Sequence, residues 1–241
     1  MILYVNGDSH AAAAEAVNPH SWAEDDGLYY GLGQQPHPDN ERVSFGCEIA
    51  NSLNAILYLD AQAGGSNARI IRTTREWLQH QDTVSDIFVI LQWSTWERQE
   101  WYHDGTWYQV NASGTDSVPP IFAERYKNFI SNVNWDQVEQ QAHDEIWKFH
   151  NELKLKQVRH VMFNGNSHFG KIFQNHDWGQ CYIAPYDSAQ TYDSVLKSNG
   201  FRTVNPDSWH FGANAHCFWA NHVLQYINDN NLISTNEIRT D

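Results

Sequence analysis

Basic residues are scarce in this 241-residue chain: 15 Lys and Arg stand against 29 Asp and Glu, giving a formal charge of −14 and a pI near 5.2. With no run of Lys or Arg to hold a phosphate backbone or an anionic bilayer, nucleic acid and membrane surfaces are excluded as partners. Long apolar runs are missing too, and nothing approaches the roughly 18 consecutive apolar residues that a membrane span needs. The opening Met1-Ile2-Leu3-Tyr4-Val5 lacks the basic start and cleavage site of a secretory signal. The expectation is a cytoplasmic chain, with release or a place in a virion as the other destinations. Cysteine is sparse as well: Cys47, Cys181 and Cys217 are odd in number and show no CxxC spacing, which excludes a disulfide framework and a zinc knuckle.

What the chain has in excess is aromatic side chains, 11 Trp, 11 Tyr and 11 Phe, beside 13 His. Part of this must be core, and the rest suits a surface that stacks against flat or ring-shaped ligands.

Short apolar runs at Ile2–Val5, Ala55–Leu59, Ile87–Leu91 and Val158–Phe163 read as strands; the third, almost wholly apolar, reads as one buried on both faces of a parallel sheet. Helical signals lie between them, over Ala11–Ala16, Phe45–Asn54, Ala68–Leu78, Ile121–Ile130, Asn134–Lys156, Tyr192–Ser198 and Ala213–Asn228. Residues 19–42 are a long Pro- and Gly-rich loop, and Trp93–Pro120 reads as an aromatic insertion with a hairpin turn at Asp104-Gly105. Strands alternating with helices predict an α/β fold, a three-layer α/β/α sandwich about a central parallel sheet of about five strands, flavodoxin-like in organisation. No composition shift marks a boundary, so one domain over 1–241 is expected.

In an open parallel sheet the ligand sits beyond the carboxyl ends of the strands. There the chain places Gly7-Asp8-Ser9 after the first strand, Gly64-Gly65-Ser66-Asn67 after the second and Gln92-Trp93-Ser94 after the third, with Asp207-Ser208-Trp209-His210 near the C-terminus. A serine opening a helix, glycine amides and an Asp-x-x-His pair are the parts a serine hydrolase needs.

These blocks, in this order over most of the chain, resemble the GDSL or SGNH hydrolase family. The resemblance implies a Ser9 nucleophile, His210 as general base and Asp207 as its orienting carboxylate, and no metal or other cofactor. It implies oxyanion donors at Ser9 and Gly65. The third block departs from the family pattern: Ser94 stands where the family has an asparagine, with Asn67 as the fallback donor, and His10 replaces the family's leucine after the serine. Ser94-x-x-x-Arg98 and the aromatic insertion resemble a branch associated with bacteriophage genomes.

The implied activity is hydrolysis of a carboxylic ester through a Ser9 acyl-enzyme. The expected substrate is a short acyl ester such as an acetylated carbohydrate, since no apolar lid for long acyl chains is evident, and Asp8, Trp93, Trp96, Trp101 and Trp107 are the expected substrate contacts. The alternatives are a non-catalytic glycan-binding module on the same scaffold and a lipase- or thioesterase-like activity. Plainer readings also stand: Gly7-Asp8-Ser9 as an ordinary turn, Asp207 as a helix cap, the Trp-rich segment as a satellite core. His143 and His150 share a helical face, with His160, His168 and His176 beyond, yet none shows HExxH or another zinc-ligand spacing, and no metal site is expected.

Overall fold

The computed structural model describes residues 1–21, 35–112, 118–170 and 176–233. Its centre is a parallel sheet of β1 (Ile2–Asn6), β2 (Ile56–Leu59), β3 (Ile87–Trp93) and β6 (Arg159–Asn164), in the order β2-β1-β3-β6. The fifth strand position shrinks to one parallel bridge, in which the Met162 amide donates to the Cys181 carbonyl at 2.8 Å and the Ile183 amide to the Met162 carbonyl at 2.9 Å. A separate antiparallel hairpin, β4 (Gln99–His103) and β5 (Thr106–Val110), turns at Asp104 and Gly105, both at positive φ as a two-residue type I′ turn requires.

Alternation along the strands makes the two faces. Leu3, Val5, Phe88, Ile90, Val161 and Phe163 point to one side, where α2 (Phe45–Ser52), α6 (Tyr192–Ser198) and α7 (Ala213–Asp229) bury Phe45, Tyr192 and Trp219 against them. Tyr4, Val89, Leu91, Trp93 and Met162 point to the other, under α3 (Asn67–Gln79) and α5 (Trp135–Leu155). The short α1 (Pro38–Glu41) and α4 (Ala123–Asn132) complete the set, and no helix among the described residues is long and apolar enough to cross a membrane.

Two expectations change. The alanine run after Ser9 is not a helix: it makes a single turn, with the Ala14 amide on the Ser9 carbonyl at 2.9 Å, and then breaks at Ala13 (φ 50°) and Glu15 (φ 62°). Left-handed backbone at non-glycine residues costs about 1–2 kcal/mol each, so tertiary contacts at both ends of this turn override the helix propensity of alanine. The Trp-rich segment is also largely core. Trp93 is fully buried between the sheet and Phe149, and Trp101 is buried with Val110, Phe122 and Tyr126 in a satellite cluster joining the hairpin to α4. Neither ring can stack on a ligand without unfolding its surroundings. Trp96 is half-buried, stacked on Phe169 at 4.4 Å, and Trp107 is 39% exposed.

Trp101→Ala should therefore cost about 3–5 kcal/mol of stability, as truncation of a core tryptophan does, whereas Trp107→Ala should cost no more than about 1 kcal/mol. Chemical denaturation of the two variants beside the parent checks this. Equal losses would contradict the core assignment.

Candidate active site

The strand order reverses between β1 and β3: the chain runs from β1 out to β2 on one side and returns to β3 on the other. Gly7-Asp8-Ser9 leaves the sheet at this switch point, where a crevice is expected. The turn is held from below by Gln92, a fully buried residue near the end of β3. Its Oε1 accepts from the Asp8 amide at 3.0 Å and the Ala11 amide at 3.3 Å, and its Nε2 donates to the Trp93 carbonyl at 2.7 Å. The fit is close. A Cβ at Gly7 would lie 2.6 Å from Gln92 Oε1 and from Ala11 Cβ, and one at Gly165 would lie 2.5 Å from Gln92 Nε2. Replacing Gln92 by Leu strands two buried amides and should destabilise the fold by about 2–4 kcal/mol, read as a lowered denaturation midpoint. A neutral result would mean that the turn holds itself.

Asp8 is buried and fully engaged. One oxygen accepts from the His10 amide at 2.9 Å; the other accepts from the Ser94 hydroxyl at 2.9 Å and from Arg98 at 2.9 Å. Burial alone would raise its pKa, but the charges of protonated His10 and of Arg98, with these hydrogen bonds, hold the carboxyl below the usual carboxylate value. Asp8 thus anchors the turn and has little left to offer a substrate.

Ser9 is nearly buried, and its hydroxyl makes no hydrogen bond to a described residue. The His10 ring beside it meets His210 edge-on, with centroids 5.6 Å apart, which brings His210 to the same corner. His210 Nδ1 lies 3.0 Å from Glu15 Oε2; the same oxygen accepts from the Ser208 hydroxyl at 2.5 Å, and Ser208 Oγ in turn accepts from the His210 amide at 3.0 Å. Burial opposes the Glu15 charge, but Ser208 and His210 together lower its pKa. An ionised carboxylate only accepts, so Nδ1 carries a proton in this contact, and it is the neutral form of the ring that leaves a lone pair on Nε2.

Asp207 is placed elsewhere. It is exposed, its amide bonds to Asn205 Oδ1 at 3.0 Å, and no hydrogen bond joins its carboxylate to His210. The carboxylate at His210 is Glu15, 195 positions away in the chain. Local sequence carries little sign of it, because a glutamate closing an alanine run reads as a helix surface.

The expected oxyanion donors are also differently disposed. The Gly65 amide donates to the Gln62 carbonyl at 2.9 Å, closing the turn that Gly64 (φ 76°) makes. The Ser94 hydroxyl is given to Asp8. Asn67 and Ser94 pair with each other, Ser94 N to Asn67 Oδ1 at 2.8 Å and Asn67 Nδ2 to the Ser94 carbonyl at 3.3 Å. The Ser9 amide has no partner among the described residues, and Asn67 Nδ2 retains a second hydrogen.

Among the described residues two clefts lie near this corner, and neither has Ser9 or His210 in its lining. One of about 800 Å³, lined by Tyr58, Gln62, Arg69, Trp77 and Trp107 among others, ends at Gln62, whose amide donates to the Gly7 carbonyl at 3.1 Å. The other, about 240 Å³, lies among Asn67, Trp96, Arg98 and Trp101.

His10 and His216 are buried beneath the corner. Burial lowers His10 to about 4 against the repulsion-offsetting charge of Asp8, and burial with the nearby His10 and His210 charges lowers His216 to about 3. Both ordinarily titrate at 6.5, so the unfolded chain takes up these protons before the folded one does. Stability from the two neutral rings is complete above about pH 6.5 and should fall as the pH drops toward 4, by about 1.4 kcal/mol per pH unit for each ring. Melting temperatures across this range should show the fall. His216→Asn should flatten it, and an unchanged slope would remove His216 from the account.

No family model and no curated protein matches the chain. Among solved structures it is similar to the acetyl xylan esterase Est2A from the rumen bacterium Butyrivibrio proteoclasticus, at 12% identity and a TM-score of 0.46, covering 96% of this chain and 64% of that one. It is also similar to the psychrotrophic esterase EstA from a Pseudoalteromonas species, at 8% identity and a TM-score of 0.47, covering 95% and 97% of the two chains. A third likeness is to a protein described as lipolytic, of the G-D-S-L family, from Desulfitobacterium hafniense DCB-2, at 8% identity and a TM-score of 0.45, covering 94% and 99%. The chain thus spans 64% of the length of the first of these relatives.

Proposed function

We propose that this chain is an SGNH-type serine hydrolase acting on carboxylic esters, with Ser9 as nucleophile, His210 as general base and Glu15, in place of Asp207, as the carboxylate that orients the imidazole. The observation that carries this reading is the 3.0 Å contact of His210 Nδ1 with Glu15 at the corner where the unengaged Ser9 hydroxyl stands. With Nδ1 protonated, His210 Nε2 can take the Ser9 proton as Oγ attacks the ester carbonyl, and Glu15 stabilises the imidazolium that forms. The same proton then passes to the leaving alcohol, and water admitted to the acyl-enzyme reverses the sequence. The Ser9 amide and the second amide hydrogen of Asn67 are the donors left for the oxyanion.

The substrate we favour is a short acyl ester, such as acetyl, on a carbohydrate. Its supports are the polar, aromatic-edged 800 Å³ cleft ending behind the nucleophile turn and the exposed face of Trp107. A second reading is favoured by one observation: with the Gly65 amide and the Ser94 hydroxyl committed internally, the oxyanion site is thin, which suits a non-catalytic glycan-binding module. Loss of one oxyanion donor commonly lowers turnover by about 10²–10³-fold.

A fluorophosphonate probe separates the two readings, since mass-spectrometric labelling of Ser9 requires an activated hydroxyl and inertness supports the binder. In the enzyme, Ser9→Ala should abolish acetyl-ester hydrolysis. Glu15→Gln should lower kcat on the order of 10²-fold or more, while Asp207→Asn should stay within about twofold of the parent. The reverse ranking would return the carboxylate role to Asp207.

A further inference from the structure

Beneath the sheet's opposite half, away from the carboxyl ends where Ser9 sits, three side chains from distant parts of the chain converge. His150 comes from α5 and His160 from β6, both buried; Cys181, half-buried, comes from the segment bridged to Met162. One ring nitrogen of each histidine and Cys181 Sγ all lie within 4.8 Å of one another. His150 Nδ1 and His160 Nε2 face each other at 2.9 Å, and His160 Nδ1 lies 2.8 Å from the Val158 carbonyl. A carbonyl only accepts, so His160 carries its proton on Nδ1 and turns the Nε2 lone pair inward, the second-sphere arrangement that orients metal-binding histidines. His150 Nε2 is buried without a partner.

The geometry points to a structural metal site, in which His150, His160 and Cys181 bind one divalent ion of zinc-like softness. Two imidazoles and a thiolate are a donor set that zinc prefers over the hard cations. A tetrahedral zinc holds its nitrogen and sulfur ligands about 3.3–3.6 Å apart, so only small side-chain adjustments separate the observed cluster from a coordinated one. Binding would break the His150–His160 hydrogen bond, shift the His150 proton from Nδ1 to the unpartnered Nε2, form two Zn–N bonds and one Zn–S bond, release the Cys181 thiol proton to solvent, and leave the fourth position to water. The ion would pin the segment around Cys181 to α5 and β6. Sequence spacing hides the site because residues 150, 160 and 181 follow no compact motif. A second group joins His143 and Asp144 of α5 to His176, but His143 Nε2 is engaged by the Tyr186 hydroxyl at 3.0 Å and the Asp144 side chain is half exposed.

The test uses the full chain stripped with chelator and titrated with cobalt(II), then zinc. One equivalent of cobalt should produce a thiolate-to-metal charge-transfer band, zinc should displace it, and stoichiometric zinc should raise the melting temperature by about 5 °C or more. Cys181→Ser should lose the band, and His160→Gln should weaken binding at least tenfold. Should either variant fail to fold, the parent still decides: zinc should protect Cys181 from alkylation, read by peptide mass spectrometry against Cys47 and Cys217. Cobalt binding without the thiolate band would move the metal to the His143 group and overturn the proposal, as would unprotected Cys181 or no binding at micromolar metal.

Discussion

The carboxamide of Gln92 is the contact on which the candidate site depends. A tight turn leaving a buried strand has amides with no ladder partner, and in this dry interior each would be left unsatisfied without a side-chain acceptor. Gln92 Oε1 takes two of them, at Asp8 and Ala11. Because it is also wedged between Gly7 and Gly165, its position admits almost no movement. The direction in which Ser9 leaves the sheet is therefore fixed from β3, across the switch point, together with the Asp8 carboxylate within the turn.

Charge is handled in the same economical way. The buried Asp8 carboxylate is matched by Arg98, which stands just before β4, so the hairpin is tied to the Gly7-Asp8-Ser9 turn by an ion pair and a shared serine hydroxyl. A pair this deep contributes little net stability, yet losing either partner leaves an unmatched charge in the interior. The aromatic rings of the same segment serve a different end. Trp101 and its neighbours make the small core that lets the hairpin stand off the main sheet, while Trp107, the most exposed of the four expected contact tryptophans, carries the Arg72 guanidinium 4.9 Å over its ring.

Much of this was legible in the residues. Apolar runs located all four sheet strands to within two residues, although the edge strand β2 is half exposed and only β1, β3 and β6 are buried along most of their length, and Asp104-Gly105 announced its own turn chemistry. The helix drawn from Ala11 onward was not there, since alanine's preference is a few tenths of a kcal/mol per residue and the contacts at Gln92 and His210 outweigh it. That misreading also hid Glu15, whose contact with His210 exists only because the chain turns left-handed at Ala13 and Glu15. The Asp-x-x-His spacing singled out His210, which the fold brings beside His10 and Glu15, but says nothing about which way a surface loop aims its aspartate. Burial of Trp93 and Trp101 was likewise out of reach, because aromatic composition is the same for a core ring and a binding platform.

The left-handed break after Ser9 has a mechanical side. Ser9 and Glu15 ride on one short turn clamped to the sheet, and Ser208 and His210 reach Glu15 from the C-terminal loop. The motion that bears on the Glu15 carboxylate is then the approach of the C-terminal loop to a turn fixed on the sheet. Loosening that loop withdraws the Ser208 hydroxyl and the His210 imidazole from one carboxylate oxygen of Glu15 together, and its return restores both contacts together.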